Sequence, residues 1–349
     1  MQVALDLDAT NKGVSSKMTK GLIFISVVLG IVLLALPLVV RDIYVMQIMI
    51  TVLFYAFVGS AWNIVGGYAG SLSLGHSAYV GLGAYTSSIL LIQAGVTPWV
   101  GMFAGGIVAV LVGLAIGYPS LRLRGPYFAL GSFAFAAILQ LWFLDTQEFL
   151  GLKIRGARGI LVPVLGNAPS KFQFVEKWPY YYIILGFTCV LVLLVYWMHR
   201  SKLGFYLTAI RSNPAAAEAI GINVAGMRMI AFAASAFFSA IAGTFYAQWI
   251  LFFNPERLFG ADLSFELVFI GIVGGRASVL GPVLGALVLV PIGEFTRVYL
   301  GGGKLMGIHL VVYGLALMLA IFFVPQGLNG LIVSLRDRWQ KKSSVSSHP

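Results

Sequence analysis

His199-Arg-Ser-Lys-Leu-Gly-Phe-Tyr-Leu-Thr-Ala-Ile-Arg-Ser-Asn-Pro-Ala-Ala-Ala-Glu-Ala-Ile-Gly-Ile-Asn-Val-Ala-Gly-Met-Arg228 is where this chain stops reading as lipid-embedded helix. Long apolar runs flank it on both sides. Within it, Asn213 is suited to cap a helix, Pro214 fits the first helical position, and 215–220 are mostly strong helix formers. Gly221 then supplies a C-terminal stop. A short helix set in a basic loop between membrane spans is a docking surface.

Composition agrees with that setting. Of 349 residues, 59% are hydrophobic and only 10% charged, against roughly 25% charged in ordinary soluble domains. The chain reads as a polytopic, all-α transmembrane bundle. The formal charge of +11 comes from basic residues that flank apolar runs, which is the pattern of membrane topology rather than of nucleic-acid binding. The single cysteine, Cys189, rules out an internal disulfide.

A bilayer core takes about 20 helical residues. On that measure spans fall near 21–40, 43–65, 75–95, 98–118, 127–145, 180–199, 229–253, 264–275, 279–300 and 305–324, about ten in all. The run at 21–40 is too long for a signal-peptide core and reads as an uncleaved span. The 264–275 piece is too short to cross unaided; extension, tilt and a re-entrant half-helix all remain open. With both termini in the cytoplasm, 14 of the 23 lysines and arginines fall inside, as the positive-inside rule requires. This yields a cytoplasmic tail at 1–20, a permease-like domain at 21–324 and a second cytoplasmic tail at 325–349. Segment 146–179 is then external, although basic, and 200–228 is a cytoplasmic loop.

Glycine is abundant, at 41 residues. The pairs Gly101/Gly105, Gly113/Gly117, Gly271/Gly275 and Gly281/Gly285 suit close helix packing. Gly66-Gly-Tyr-Ala-Gly-Ser-Leu-Ser-Leu-Gly75 also supports a second reading. A helix broken inside the membrane presents backbone carbonyls and helix ends to a polar solute. On that reading Gly66, Gly67, Gly70, Ser71, Ser73 and His76 line or support a pathway. A second break, Gly274-Gly-Arg-Ala-Ser-Val-Leu-Gly-Pro-Val-Leu-Gly-Ala286, echoes the first and adds Gly274 and Gly275.

No catalytic, cofactor or metal motif is present. The four histidines are scattered, and Gly301-Gly-Gly-Lys304 lacks both the first glycine and the hydroxyl residue of a phosphate loop. Energy from ATP would have to come from partner subunits. Ion-coupled carriers usually hold acidic groups at mid-depth. Here only Glu266 and Glu294 qualify, and Glu294 has Arg297 three residues on as a helix-face partner. A gating role for Glu266 stays open.

With these residues in view, the chain resembles the LivM-type permease subunit of branched-chain amino-acid ABC importers, from about Ile43 to Ile332. The likeness rests on Trp62-Asn-Ile-Val-Gly-Gly-Tyr-Ala-Gly-Ser-Leu-Ser-Leu-Gly-His76, Gly81-Leu-Gly-Ala-Tyr85, Leu121-Arg-Leu-Arg-Gly-Pro-Tyr-Phe-Ala129 and Arg155-Gly-Ala-Arg-Gly-Ile160. It continues through Ala209–Ile222 and the second break. The resemblance implies a type II importer-like permease fold in the bacterial inner membrane. It also implies a second, LivH-type permease subunit, two ATP-binding subunits, and a periplasmic or surface-tethered binding protein. Its coupling element falls on Arg211, Asn213, Pro214, Ala216, Glu218 and Gly221. Ser71 stands where the family more often has glutamine, and Arg155-Gly where it has Thr-Gly-Gly. Branched-chain or related hydrophobic amino acids are therefore the expected solutes, with urea or short amides as the alternative and an ion-coupled secondary carrier as the rival class.

Overall fold

The computed structural model describes residues 33–40, 42–120 and 125–300, with 314, 315, 318, 322, 327, 328 and 330 beyond them. The tail at 1–20, most of the span at 21–40, Arg122 and Arg124, and the phosphate-loop-like 301–304 lie outside the described residues. So do most of the span at 305–324 and of the tail at 325–349. The chain forms two units, Met1–Gln47 and Ile48–Pro349. In the first, residues 33–39 are helical. The Asp42 carboxylate accepts from the N–H groups of Tyr44 and Val45 (2.7 and 3.1 Å), an N-terminal cap for the helix that follows.

That helix is α1 (Ile43–Asn63), prolonged by a π-helical turn, Ile64–Tyr68. After it come α2 (His76–Ala94), α3 (Pro98–Ser120), α4 (Pro126–Asp145) and α5 (Trp178–Arg200). The former loop holds α6 (Lys202–Ser212) and α7 (Pro214–Ala219). The chain then runs through α8 (Val224–Ile250), α9 (Pro255–Phe259), α10 (Ala261–Gly274) and α11 (Gly281–Leu300). Proline at the first or second position starts six of these helices, α3, α4, α5, α7, α9 and α11, where its missing N–H has no intrahelical partner to lose.

Among the described residues six helices are long and apolar enough to cross a membrane: α1 with its π turn, α3, α4, α5, α8 and α11. The sequence reading counts two more in this region, α2 and the 264–275 piece, and each has a physical reason to fall short. α2 is buried along nearly its whole length, so it can carry His76, Ser77, Ser87 and Ser88, all buried, without meeting lipid. The 264–275 piece begins earlier, at Ala261, and α9 leads into it. Its 14 residues span about 21 Å, less than a bilayer core.

α2, α3 and α8 form the centre, and glycine brings their backbones together. A Cβ on Gly83 would overlap the Ala240 carbonyl, and one on Gly243 the Val80 carbonyl; Gly105 lies against Gly83. Thr244 Oγ1 donates to the Gly83 carbonyl at 3.2 Å. The small-residue pairs read from sequence all sit at packing contacts. Gly101 meets Ser87, Gly113 meets Tyr79, Gly117 meets Phe232, and Gly285 meets Ile270. A second cluster joins α1, α10 and α11 through Ala56, Ile270, Val273, Ala286, Leu289 and Val290.

Segment 146–179 is ordered rather than a plain loop. Two antiparallel pairs shape it: β1 (Glu148–Phe149) with β2 (Leu152–Lys153), and β3 (Ile160–Leu161) with β4 (Phe252–Phe253) after α8. These are small additions to an otherwise helical fold. Trp99 at the start of α3 donates to the Pro169 carbonyl (2.7 Å) and stacks on Phe172. Tyr180 at the start of α5 donates to the Gln248 carbonyl near the end of α8 (3.1 Å). One end of the unit therefore gathers 146–179 with the start of α3, the start of α5 and the end of α8. The other gathers the end of α1, the end of α5 and the α6–α7 segment, where Tyr68 and His199 lie ring to ring at 5.5 Å.

Gly243→Ala is expected to destabilise the bundle by about 1–3 kcal/mol, because its methyl group meets a backbone carbonyl that cannot rotate away. Gly186→Ala, with open space around it, should leave stability unchanged or slightly raised. Thermal unfolding in detergent checks both.

Candidate functional site

The break between α1 and α2 is shorter than its glycines suggest. Backbone bonding continues through the π turn, Ala69 N–H donates to the Ile64 carbonyl (3.2 Å), and Ser71 N–H donates to the Val65 carbonyl (3.1 Å). The irregular stretch is thus 69–75. Gly66 and Gly67, read from sequence as exposing backbone to a solute, are instead filled. A Cβ at Gly66 would run into the Trp62 ring, and one at Gly67 into Asn63 and the Ala277 N–H. The wide π turn creates these slots, and large side chains of the preceding turn occupy them.

Trp62 and Asn63 hold the site together. Trp62 is fully buried, wedged against Gly66 on its own helix and Gly271 on α10. Its indole N–H donates to the Ser73 carbonyl at 2.8 Å. Asn63 reaches the second break: its Oδ1 accepts from Ala277 N–H (3.0 Å) and its Nδ2 donates to the Ser278 carbonyl (2.8 Å). The two glycine breaks, which merely echoed each other in sequence, are therefore joined in space by one side chain. Gly274 packs against Gly281 and Gly285 at the α10–α11 crossing, and Gly275 lies against Gly327.

Ser73 and His76 are buried supports. His76 Nδ1 lies 3.0 Å from Ser73 Oγ and Nε2 lies 2.6 Å from Ser235 Oγ, which itself donates to the Ala61 carbonyl (2.6 Å). This chain ties α2 to α8 and α1. Ser132 on α4 receives the Leu74 N–H at 2.9 Å. Gly70 is exposed and Ser71 partly so; of the eight pathway residues read from sequence, these two in the first break stand at the surface.

The loop that opened the sequence reading meets this break directly. α6 was not foreseen there: its basic ends suggested loop, while Leu203, Leu207 and Ile210 repeat at helical spacing. Leu207 and Ile210 are fully buried. α6 carries Arg211 onto Gly70, where a Cβ would crowd the arginine stem. The guanidinium donates to the Gly67 carbonyl at 3.5 Å, the long limit of such a bond. α7 follows as expected: Asn213 Oδ1 accepts from Ala216 N–H (3.1 Å), Pro214 opens the helix, and Gly221 N–H closes onto the Glu218 carbonyl (2.9 Å). Ala217 is buried, whereas Asn213, Pro214, Ala216, Glu218 and Gly221 are exposed. The helix thus turns one residue inward and presents the rest outward.

Both acidic candidates are engaged. Tyr55 donates its hydroxyl to the Glu266 carboxylate, linking α1 to α10. Glu294 pairs with Arg297 at 2.7 Å on the face of α11. Trp62 and Asn63 stood in the motif that carries the family likeness but with no role attached, and nothing in the sequence pattern pointed to Tyr55 or Ser235, whose partners are distant along the chain.

Apolar crossing helices, two juxtaposed breaks and a capped helix projecting beside them define a polytopic helical membrane protein of the permease class. The chain belongs to the family described as branched-chain amino acid transport system / permease component, whose model matches residues 44–324. The high-affinity branched-chain amino acid transport system permease protein LivM of Salmonella typhimurium is 29% identical over 293 residues, 78% of this chain and 67% of that protein. The nucleoside ABC transporter permease protein NupC of Lactococcus lactis is 24% identical, over 75% of this chain and 83% of that one. A probable branched-chain amino acid transport permease protein LivH of Methanocaldococcus jannaschii is 26% identical, over 73% and 81%. No solved structure matches the chain.

Asn63→Ala removes the partner of the part-buried Ala277 N–H and Ser278 carbonyl, at about 0.5–1.5 kcal/mol for each hydrogen bond lost. The expected readout is faster hydrogen exchange at the Ala277 amide, with a lowered unfolding midpoint. Unchanged exchange there would remove Asn63 as the clasp between the breaks.

Proposed function

We propose that this chain is one permease subunit of an ABC importer that carries branched-chain or related hydrophobic amino acids inward across the bacterial inner membrane. The observation that carries this reading is the likeness to LivM over 78% of the chain. A second, LivH-type permease subunit, two ATP-binding subunits, and a periplasmic or surface-tethered binding protein complete the machine. The chain binds no cofactor and no nucleotide; ATP is hydrolysed on its partners. It spans the membrane about ten times, counting α2 as a crossing shielded inside the bundle and α9 with α10 as one crossing, with 1–20, 200–228 and 325–349 in the cytoplasm, 21–324 forming the permease domain and 146–179 outside. Support for placing 146–179 and 200–228 on opposite faces comes from α5, whose 23 residues cover about 34 Å between them.

Coupling runs through α7. Arg211, Asn213, Pro214, Ala216, Glu218 and Gly221 form the element that sits on an ATP-binding subunit. Displacement of that element reaches Gly67 and Gly70 through Arg211, and the second break through Asn63. The solute passes between the two permease subunits by alternating access. Gly70 and Ser71 border its route, and Gly66, Gly67, Ser73, His76, Gly274 and Gly275 form the packed frame behind them. No bond in the solute changes, so no catalytic residue is required.

In proteoliposomes holding the assembled importer, Ala216→Arg and Glu218→Arg should lower leucine uptake and solute-stimulated ATP hydrolysis about tenfold, since each sets a new charge against the partner. Membrane insertion should be intact. Undiminished uptake in both variants removes the coupling role. Uptake of urea, a short amide or a nucleoside in place of leucine would reassign the solute. Uptake that collapses with a protonophore at constant ATP would make the chain a secondary carrier. Gly70→Leu should block uptake with the ATP-binding subunits still docked; their loss would assign Gly70 to packing alone.

A further inference from the structure

A cavity of about 260 Å³ opens where segment 146–179 meets the end of α8, lined by Gln147, Arg155, Arg158, Gly159, Leu161 and Phe252. It is separate from the two breaks and from the α6–α7 segment. Two arginines share one 3₁₀ turn, Gly156–Arg158, with Arg155 at its N-cap. Arg155 takes left-handed backbone (φ 69°) ahead of the turn, and the two exposed arginines line the same cavity from either end of it.

The turn is held firmly. Ile154 and Arg155 both donate their N–H groups to the Gln147 carbonyl (3.0 and 2.9 Å). Gly156 and Gly159 adopt positive φ (56° and 70°). A Cβ at Gly156 would crowd Gln147 and the Leu144 carbonyl, and one at Gly159 would overlap the Phe253 carbonyl. Only glycine meets both demands. Leu161 and Phe252, which line the same cavity, are directly paired across β3–β4 and are 62% and 51% exposed, so they form an apolar wall. No carboxylate lines the cavity, and neither guanidinium has an acidic partner among the described residues.

We propose that this cavity is a binding site for a small hydrophobic carboxylate. The paired guanidiniums take its carboxylate as charge-assisted hydrogen-bond donors, and Leu161 and Phe252 cover its aliphatic end. Two positive charges without a counter-ion call for an anion, and an adjoining apolar wall distinguishes an aliphatic acid from phosphate or sulfate. Under the proposed function, which this inference deepens, the site receives the amino acid on the outer face before it enters the route between subunits.

The test uses the full chain in nanodiscs without nucleotide, with 4-methylpentanoate, its uncharged amide and leucine as probes in equilibrium binding. The acid and leucine should bind, the amide should not, and Arg155→Gln/Arg158→Gln should weaken the acid about tenfold or more. Phe252→Ser should weaken 4-methylpentanoate more than acetate. Thermal unfolding of each variant, measured alongside, separates loss of the site from loss of the fold. Equal binding of acid and amide, or undiminished binding in the double arginine variant, overturns the proposal. So does a result in which the double variant fails only to hold an acidic binding protein, which would assign the arginines to protein docking. Binding of 4-methylpentanoate without leucine uptake by the assembled importer would leave this site standing and remove the transport reading; leucine uptake without such binding would do the reverse.

Discussion

A peptide group in a membrane interior must find its hydrogen-bond partner within the protein, because lipid offers none. This chain interrupts its helices twice, at 69–75 and 275–280, and several of its helix contacts follow from how the buried peptide groups of those interruptions are answered. Trp62 takes the Ser73 carbonyl, Asn63 takes an N–H and a carbonyl from the opposite break, and Ser132 receives the Leu74 N–H. Because the partners lie on α1 and α4, satisfying the breaks also fixes how α1, α2, α4, α10 and α11 stand together.

The same demand explains the centre. α2 carries a histidine and several serines, and it avoids lipid by lying inside α3, α8 and their neighbours. Close approach is possible because Gly83, Gly105 and Gly243 remove the side chains that would hold the backbones apart. His76 then bridges Ser73 and Ser235, so a polar side chain in an apolar bundle serves as a tie. The pathway reading of 66–75 is changed accordingly: Gly66 and Gly67, which looked like openings, are seats for Trp62 and Asn63.

Around this centre the two ends of the bundle are built differently. One end projects α7, a six-residue helix capped by Asn213 and backed by the buried face of α6. Arg211 connects that projection to the first break. The other end is sealed by the β3–β4 pair and the aromatic contacts of Trp99, Phe172 and Tyr180. That end leaves a cationic cleft with an apolar wall. The separation suits a protein that takes force at one surface and meets solute at the other.

Much of this was legible along the chain, for a stated reason: helix spans, caps and glycine spacing are local signals. The apolar runs, the cap–Pro–Ala–Gly order of 213–221, the Glu294–Arg297 pair and the positions of both breaks depend on residues a few places apart. α6 was legible too, through Leu203, Leu207 and Ile210, but its basic ends hid the periodicity. What only the tertiary structure decided is who answers whom. Asn63 reaches across 214 residues to Ala277, and Arg211 across 144 to Gly67. Glu266 finds Tyr55, and two arginines share a cavity with Phe252, from a strand that pairs with the nearby Leu161 only in the folded chain. No periodicity encodes such contacts, because they arise from the packing of helices against one another rather than from the turn of any one helix.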